Sequence, residues 1–224
     1  MEQIFETIQR DPYVQLTGAH FASLINAYGC VNKDLDKAIE IFESIPTFPG
    51  APAADAVVYE ALVNAIVAHK RTELLPKYIG RMKEQGVHMT AYIANFLIKG
   101  YANVGDLGEA RAIFESLLDP PGGVAAPGNH SVHSSSPGTQ SNGSTTAGSF
   151  LDGYGFVHDP VYREPSTWEV MVRAELGAGN RDAALDLLER LKARCVFSLL
   201  ILGLILTFNE GNTPRLCTIV SVAF

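Results

Sequence analysis

Apolar and polar residues follow the spacing of half-buried helices along much of the chain. Between residues 107 and 117, for example, Leu107, Ala110, Ile113, Phe114 and Leu117 recur at intervals of three or four. This spacing places them on one face of a helix, with polar residues on the other. Similar amphipathic segments occupy residues 34–45, 73–82 and 181–191.

A more apolar helix precedes each of these segments, and the four preceding helices share one pattern. They read HFASLINAYG, VYEALVNAIV, IANFLIKGYA and TWEVMVRAEL. Three of the four contain an aromatic residue at the same place, and aliphatic residues follow three and four positions later. Two positions after the second aliphatic residue, the residue is small in every copy, which predicts a close approach between the two helices of a pair. These small residues are Ala27, Ala65, Gly100 and Ala174.

The pattern repeats along the chain with one interruption. The first three copies recur about every 35 residues, and the fourth follows after about two such periods. The region between them contains PPGGVAAPGNHSVHSSSPGTQSNGSTTAGS, which has too few apolar residues to offset its chain entropy on folding. We therefore predict a helix–turn–helix repeat array that carries a disordered insertion.

Composition narrows the class of protein. With 47% hydrophobic and 18% charged residues, the chain is typical of a globular protein. Its net charge is -7, and its helical segments are close to neutral. The sequence therefore has no excess of positive charge that would indicate a nucleic-acid partner. Cys30, Cys195 and Cys217 are few and far apart, which indicates a reducing compartment rather than a disulfide scaffold or a zinc site.

The two ends differ from the repeats. The N-terminal stretch MEQIFETIQRD is acidic and has the character of neither a signal peptide nor an Arg-rich transit peptide. The C-terminal region contains CVFSLLILGLILTF, an apolar run shorter than the about 20 residues that a bilayer span needs. The composition changes abruptly where this run begins. This change favours a C-terminus that does not belong to the repeats and that arises from a non-native reading of the gene. A membrane anchor is the weaker interpretation.

The predicted organisation follows from these boundaries. We expect a remnant second helix of a preceding repeat, then three repeats, the disordered insertion, a fourth repeat and an atypical apolar tail. The chain would thus begin inside an array. The corresponding ranges are 1–16, 17–118, 119–164, 165–194 and 195–224.

The third unit carries a family resemblance. Its stretch NFLIKGYANVGDLGEARAIFESL, together with the MKEQGV ending of the second unit, resembles the pentatricopeptide repeat of 35 residues. The tetratricopeptide repeat is the rival, but these units lack its LGxxY pattern. The resemblance implies an all-α fold, a right-handed α-solenoid of about four stacked helix–turn–helix pairs with a long disordered insertion.

The resemblance also implies a binding mode and a set of contact residues. Pentatricopeptide arrays bind single-stranded RNA at one base per repeat, read by the fifth residue of the first helix and the last residue of the repeat. Only Asn95 is a residue that the family commonly uses for reading. Lys99 and Arg173 follow Asn95 and Glu169 by one helical turn and are candidate phosphate contacts, although ordinary surface charge explains them equally well. The fifth positions are Ala22, Glu60, Asn95 and Glu169, the last positions are Asp55 and Thr90, and Glu164 precedes the fourth repeat.

Two functions remain open at this stage. By resemblance, the chain is a non-catalytic RNA-binding protein of mitochondrial RNA processing, stability or translation. The near-neutral repeats and the carboxylates of Glu60 and Glu169 favour the alternative, a scaffold that binds a protein or peptide. Because catalytic and metal-binding motifs are absent from the sequence, we expect no enzyme activity, no cofactor and no metal. We further expect a monomer that binds neither DNA nor a membrane.

Overall fold

A computed structural model describes residues 15–120 and 161–194, which form eight α-helices. A π-helical turn, Ala27–Val31, extends the first helix, and short 3-10 turns at Ile45–Thr47 and Thr72–Leu74 follow the second helix and precede the fourth. The helices are α1 Gly18–Asn26, α2 Leu35–Ser44, α3 Ala56–Ala68, α4 Leu75–Glu84, α5 Ala91–Asn103, α6 Leu107–Ser116, α7 Pro165–Gly177 and α8 Arg181–Arg194.

The helices pair in chain order into four units. Unit one contains α1 and α2, unit two α3 and α4, unit three α5 and α6, and unit four α7 and α8. The first helices pack side by side in the order α1, α3, α5 and α7, while each second helix packs on the first helix of its own unit. This arrangement confirms the predicted all-α fold of stacked helical pairs.

The turns within the units contain one left-handed residue each. Such a conformation suits glycine because it lacks a Cβ atom. Units three and four have glycine there, Gly105 with φ of 88° and Gly179 with φ of 82°. Units one and two instead have lysines, Lys33 with φ of 59° and Lys70 with φ of 56°. The first two turns therefore hold a conformation that is costly for their residues.

An aromatic contact joins successive units at two places. Phe42 of α2 meets Tyr59 of α3 edge to face, with 5.1 Å between ring centroids. Phe114 of α6 meets Trp168 of α7 in the same way, at 5.0 Å. All four rings are buried, so the aromatic residues of the shared first-helix pattern serve packing between units.

A Glu–Arg pair accompanies each aromatic contact. Glu43, next to Phe42, pairs with Arg81 of the following second helix. Glu115, next to Phe114, forms two hydrogen bonds with Arg190 at 2.7 and 3.0 Å. The sequence IFES, common to α2 and α6, thus provides one apolar and one charged contact to the next unit.

The residues that flank the segment 121–160 on its two sides form hydrogen bonds with each other. Leu118 donates its N–H to the Val161 carbonyl at 2.9 Å, and Arg163 donates its N–H to the Leu118 carbonyl at 2.7 Å. These bonds form a parallel β-bridge between Leu118 and Tyr162. Since α5 packs directly against α7, units three and four stack as neighbours even though a long segment of chain separates them.

Two of the small residues, Gly100 and Ala65, lie at close contacts between successive first helices. A Cβ atom on Gly100 would lie 2.7 Å from Val67 Cγ2 of the preceding first helix, and Leu75 of unit two comes next. A Cβ atom on Gly29 would similarly lie 2.4 Å from the Ala65 Cβ. The prediction of close approach within a pair was therefore wrong at Gly100, because the narrow contact is between successive units.

Several predictions concern residues outside the described ranges. The remnant helix over residues 3–9, most of the disordered insertion and the apolar tail after residue 194 belong there. Among the helices in the described part of the chain, none has both the length and the apolar character needed to cross a bilayer.

Candidate nucleic-acid interface

The side-by-side packing of the four first helices leaves one face open to solvent. Counted from the first residue of each helix, positions two, five and nine lie on it, because residues three and four apart share a helix face. We call this surface the first-helix face. Its residues are Ala19, Val57, Tyr92 and Ser166 at position two, Ala22, Glu60, Asn95 and Glu169 at position five, and Asn26, Asn64, Lys99 and Arg173 at position nine.

Unit one presents little polar chemistry at its predicted reading positions. Ala22 is buried at 5% exposure and carries no polar side-chain atom. Asp55, the last residue of the unit, accepts the Val58 N–H at 3.1 Å and so caps α3. Its carboxylate also occupies the space that a side chain on Gly18 would need. Asp55 alone could offer a base a polar contact here.

Unit two brings its two predicted reading residues into direct contact. The Thr90 hydroxyl donates to Glu60 Oε1 at 2.7 Å, and it accepts the Ile93 N–H at 3.2 Å as the cap of α5. A threonine hydroxyl can donate one hydrogen bond, and here the acceptor is Glu60 Oε1. The hydrogen bond from Thr90 therefore holds the Glu60 carboxylate in one orientation.

Unit three contains a buried amide with an unused atom. Asn95 is 8% exposed, and its Nδ2 donates to Ser166 Oγ of α7 at 3.0 Å. Its Oδ1 is buried and has no hydrogen-bond partner among the described residues. A buried unsatisfied acceptor costs about 1–3 kcal/mol, so a rotation of the Asn95 amide that brings this atom to a donor would be favourable. Lys99 lies exposed one turn further along α5.

Unit four pairs its two predicted contact residues with each other. Arg173 forms an ion pair with Glu169 of the same helix at 2.7 Å, and its Nε also donates to that carboxylate at 2.8 Å. This pairing neutralises the carboxylate at position five. It equally reduces the charge that Arg173 can offer to a phosphate, which weakens the case for this residue as a phosphate contact.

Two exposed apolar side chains flank the polar positions. Val57 of α3 is 48% exposed and Tyr92 of α5 is 41% exposed, although both lie on otherwise buried helices. Partial burial, with the nearby Glu164 and Glu60 carboxylates, raises the pKa of Tyr92 above its usual value. The exposed Tyr92 ring gives the first-helix face an aromatic surface on which a base could stack.

The position-nine row continues the polar surface. Asn64 Nδ2 lies 3.4 Å from Asn26 Oδ1 and 3.4 Å from the Sγ atom of Cys30. Burial raises the pKa of the Cys30 thiol, while Lys33 and Lys99 act in the opposite direction. The positive charge of Lys99 is therefore felt at Cys30, beside the Asn26 and Asn64 amides.

Sequence reasoning missed Ser166, Val57, Tyr92 and the two position-nine asparagines. A signal was available, because aligning the repeats by their first residue places each of them in a fixed column. Of the predicted reading residues, Glu60 and Asn95 belong to the first-helix face, and Asp55 and Thr90 precede the first helices α3 and α5 as their caps. In the described part of the chain, no group of three or more His, Cys, Asp or Glu side chains is arranged to hold a metal ion.

Comparison with known sequences identifies the repeat. A family model described as pentatricopeptide repeat-containing protein matches residues 3–117. Pentatricopeptide repeat-containing protein 5, mitochondrial, of Schizosaccharomyces pombe is 25% identical over 196 residues, which are 87% of this chain and 12% of that protein. A mitochondrial pentatricopeptide repeat-containing protein of Arabidopsis thaliana is 25% identical over 117 residues, which are 52% of this chain and 28% of that protein. The chain thus spans well under half the length of either relative.

Two solved structures share the fold. The maize pentatricopeptide repeat protein PPR10 superimposes with a TM-score of 0.50 at 15% identity, covering 86% of this chain and 21% of that one. The pentatricopeptide repeat domain of Arabidopsis thaliana protein-only RNase P 1, solved in complex with tRNA, gives a TM-score of 0.52 at 13% identity. That match covers 92% of this chain and 87% of the domain.

Proposed function

We propose that this chain, which belongs to the pentatricopeptide repeat family, binds single-stranded RNA along its first-helix face without catalysing a reaction. The relatives named mitochondrial support a role in that organelle. The family resemblance suggests RNA processing, stability or translation as that role. The tRNA complex of a domain with the same fold supports RNA as the class of ligand.

The observation that carries the proposal is the state of Asn95. Its amide lies at position five, is nearly buried, and keeps one acceptor atom without a partner among the described residues. Single-stranded RNA exposes base edges that both donate and accept hydrogen bonds, so a base edge can satisfy that atom once the amide turns it toward the surface. The neighbouring Tyr92 ring offers a surface on which a base can stack.

Affinity would come chiefly from phosphate contacts. Lys99 is exposed one turn from Asn95, so its ammonium group can reach the backbone of a strand whose base contacts the amide. Arg173 contributes less because Glu169 already pairs with it. With few free cations on the first-helix face, binding by these units alone would be weak and sensitive to salt.

A fluorescence-anisotropy titration of the full chain with single-stranded RNA at several salt concentrations tests the proposal. Asn95→Ala should relax base choice at one position of the RNA. Lys99→Ala should weaken binding to all sequences and reduce the slope of log affinity against log salt by roughly 0.7, the value for one phosphate contact on a single strand. Absence of binding at low salt, or a slope of zero, would refute RNA binding by this chain.

The alternative is a protein-binding scaffold, and one feature favours it. Val57 and Tyr92 are exposed next to the Glu60 carboxylate, a mixture that also suits a peptide with apolar and basic side chains. The same titration separates the two functions, because a scaffold would leave RNA unbound at low salt.

A further inference from the structure

We infer that a cavity at the junction between units one and two binds a carboxylate that carries an apolar group the size of one aromatic ring. The cavity lies between the C-terminal ends of α2 and α4 and the loop 45–55, and its volume is about 150 Å³. An apolar cavity of roughly this volume can hold one benzene ring. None of its lining residues belongs to the first-helix face, so this binding would be separate from RNA binding.

The equivalent place at the interrupted junction is filled by the side chain of Arg163. Ala54 and Arg163 each lie two residues before a first helix, α3 and α7 respectively. The Arg163 guanidinium lies 4.6 Å from the centre of the Phe114 ring, whereas Ala54 and the corresponding ring of Phe42 both line the cavity. The cavity is therefore the space that a planar group occupies at the other junction.

The charges around that planar group differ between the two junctions. Arg163 pairs with Asp119 at 2.8 Å and with Glu115 at 3.3 Å, so the interrupted junction suits a cation. Five residues after the phenylalanine, where the interrupted junction has Asp119, the junction between units one and two has Thr47. A group that enters the cavity thus meets one fewer carboxylate than Arg163 does.

The polar side chains that line the cavity offer hydrogen-bond donors. Burial raises the pKa of Tyr59 to about 12, so its hydroxyl stays protonated at neutral pH, and it donates to Gln85 Oε1 at 2.7 Å. The Gln85 amide therefore has its Nε2 donor left for a ligand. Arg81 uses Nη1 for Glu43, and its Nε and Nη2 atoms form no hydrogen bond with the described residues.

Glu43, the carboxylate that contacts Arg81, is already engaged by several groups. Besides Arg81, it pairs with Lys77 at 3.7 Å and accepts a hydrogen bond from the Tyr78 hydroxyl at 3.4 Å. Glu84 also acts on Tyr59, but it does not line the cavity. Because two cations share the charge of Glu43, an anion beside Arg81 would be attracted.

The remaining walls of the cavity are apolar. Phe42 and Ile45 are buried at its base, and Pro52 and Ala53 belong to the loop that closes it. This loop is longer than residues 85–90, which join α4 to α5, so it gives this junction a wall that the next junction does not have. An aromatic or branched aliphatic group fits such walls, and its carboxylate can accept from the Arg81 guanidinium and the Gln85 amide.

Three ligands of nearly the same shape test this assignment on the full wild-type chain. Benzoate is an anion, benzamide is neutral and benzamidine is a cation. Nuclear magnetic resonance spectra of alanine methyl groups, recorded at constant ionic strength, report binding, because the ligand ring shifts the signals of methyl groups beside it. Benzoate should shift the signals of Ala51, Ala53 and Ala54 and leave that of Ala110, in unit three, unchanged.

The three affinities should differ in a definite order. Benzoate should bind at least about tenfold more tightly than benzamide, the effect of one hydrogen bond to a charged group. Benzamidine should not shift these methyl signals. If benzamide bound equally well, or if benzamidine bound as tightly as benzoate, the assignment of a carboxylate site would be wrong.

Two substitutions locate the site. Arg81→Gln should weaken benzoate binding by about tenfold or more. Lys83→Gln removes the same charge from an exposed position of α4 that does not line the cavity, and it should have a much smaller effect. Ala54→Met should fill the cavity with a neutral side chain and abolish binding. Equal effects of Arg81→Gln and Lys83→Gln, or benzoate binding that survives Ala54→Met, would place the ligand elsewhere.

A carboxylate of this kind can belong to a small organic acid or to the C-terminal residue of a peptide. Peptides that end in phenylalanine, with either a free or an amidated C-terminus, distinguish these sources. Binding of the free peptide acid with loss on amidation would identify a chain terminus as the ligand, whereas binding of benzoate without the peptide would identify a small acid. If no ligand shifted the alanine signals, the inference would be overturned and RNA binding would be unaffected.

Discussion

The junction between units one and two and the junction between units three and four make the same contacts over very different connections. In both, a buried phenylalanine of the second helix meets an aromatic ring of the next first helix, and the following glutamate pairs with an arginine of the next second helix. A short loop connects the first pair of units, whereas residues 121–160 intervene in the second. Stacking is therefore specified by side chains and tolerates a long interruption, because loop-closure entropy grows slowly with length.

The interrupted junction also contains charges that the continuous one lacks. Position eleven of the first helix is Ile66 in unit two, buried at 0% exposure, and Glu175 in unit four, at 1%. Arg111 of α6 binds the Glu175 carboxylate at 2.6 and 2.8 Å, and Asn180 adds a third bond at 2.9 Å. Arg163, at 4% exposure, lies 4.6 Å from the centre of the Phe114 ring. The comparison shows that one fold position accepts an aliphatic residue or a fully paired carboxylate.

Removing the aromatic contact should produce the largest effect at either junction. Trp168→Ala should lower the free energy of unfolding by about 3–5 kcal/mol, because it leaves a cavity in the core. Tyr59→Ala should cost somewhat less, since Trp168 also lies beneath the guanidinium groups of Arg163 and Arg190. Urea denaturation of both variants measures the difference. A larger loss for Tyr59→Ala would mean that the added charges do not reinforce the interrupted junction.

Removing the partner of Glu175 should produce the next largest effect. Arg111→Ala leaves a buried carboxylate with one neutral donor, and we expect a loss of about 2 kcal/mol, reduced from the usual buried-pair value because Arg111 is half exposed. The double variant Arg111→Ala with Glu175→Ile, which copies unit two, should recover most of it in the same denaturation experiment. If the double variant did not recover this stability, position eleven of the first helix would not be equivalent in units two and four.

The same pair makes the interrupted junction sensitive to acid. The Arg111 hydrogen bonds hold the pKa of Glu175 below its usual value. A carboxyl group with a lowered folded-state pKa stabilises the protein above its unfolded pKa, and this contribution is lost as the pH falls through the folded-state value. Unfolding free energies measured against pH should therefore decline less steeply below about pH 4 in Glu175→Gln than in the wild type. If the two proteins lost stability equally below about pH 4, the Arg111–Glu175 pair would not be the source of the acid sensitivity.

Shortening the connection tests whether the insertion supports the stack. Because Leu118 and Tyr162 form a β-bridge, a short Gly/Ser turn can replace residues 121–160. If that segment is disordered, as the sequence predicts, its removal should stabilise the chain by about 1–2 kcal/mol through reduced loop-closure entropy. A loss of stability, measured by thermal unfolding, would instead indicate that the segment packs against the units.

The smallest expected effect concerns the turns, where the two halves of the array also differ. Lys70→Gly should stabilise the protein by roughly 0.5 kcal/mol, because relief of the left-handed lysine exceeds the added entropy of the unfolded chain. Gly105→Ala in unit three is the matched reverse change and should cost about 1 kcal/mol. Chemical denaturation of both variants would reveal opposite signs, and equal signs would contradict the role given to these turns.

Part of the candidate site could be predicted from the sequence and part could not. The register of the repeats located Asn95, Glu60 and Thr90, because a fixed period carries each column onto the same helix position. It did not predict that Thr90 donates to Glu60, or that Asn95 donates to Ser166 from beyond the insertion. These bonds depend on the distance between neighbouring first helices, which no local pattern encodes.

The sequence by itself determined the helical pairs, their period and the return of a fourth unit after an interruption. Apolar spacing decides which face of a helix is buried, and that information is local to each segment. The tertiary structure alone decided that Gly100 faces Val67 of the preceding unit, whereas the pairing of Arg173 with Glu169 follows from their four-residue spacing on one helix. It also decided that Thr90 donates to Glu60 and that Asn95 donates to Ser166, because side chains of neighbouring units form hydrogen bonds only when stacking brings them close together.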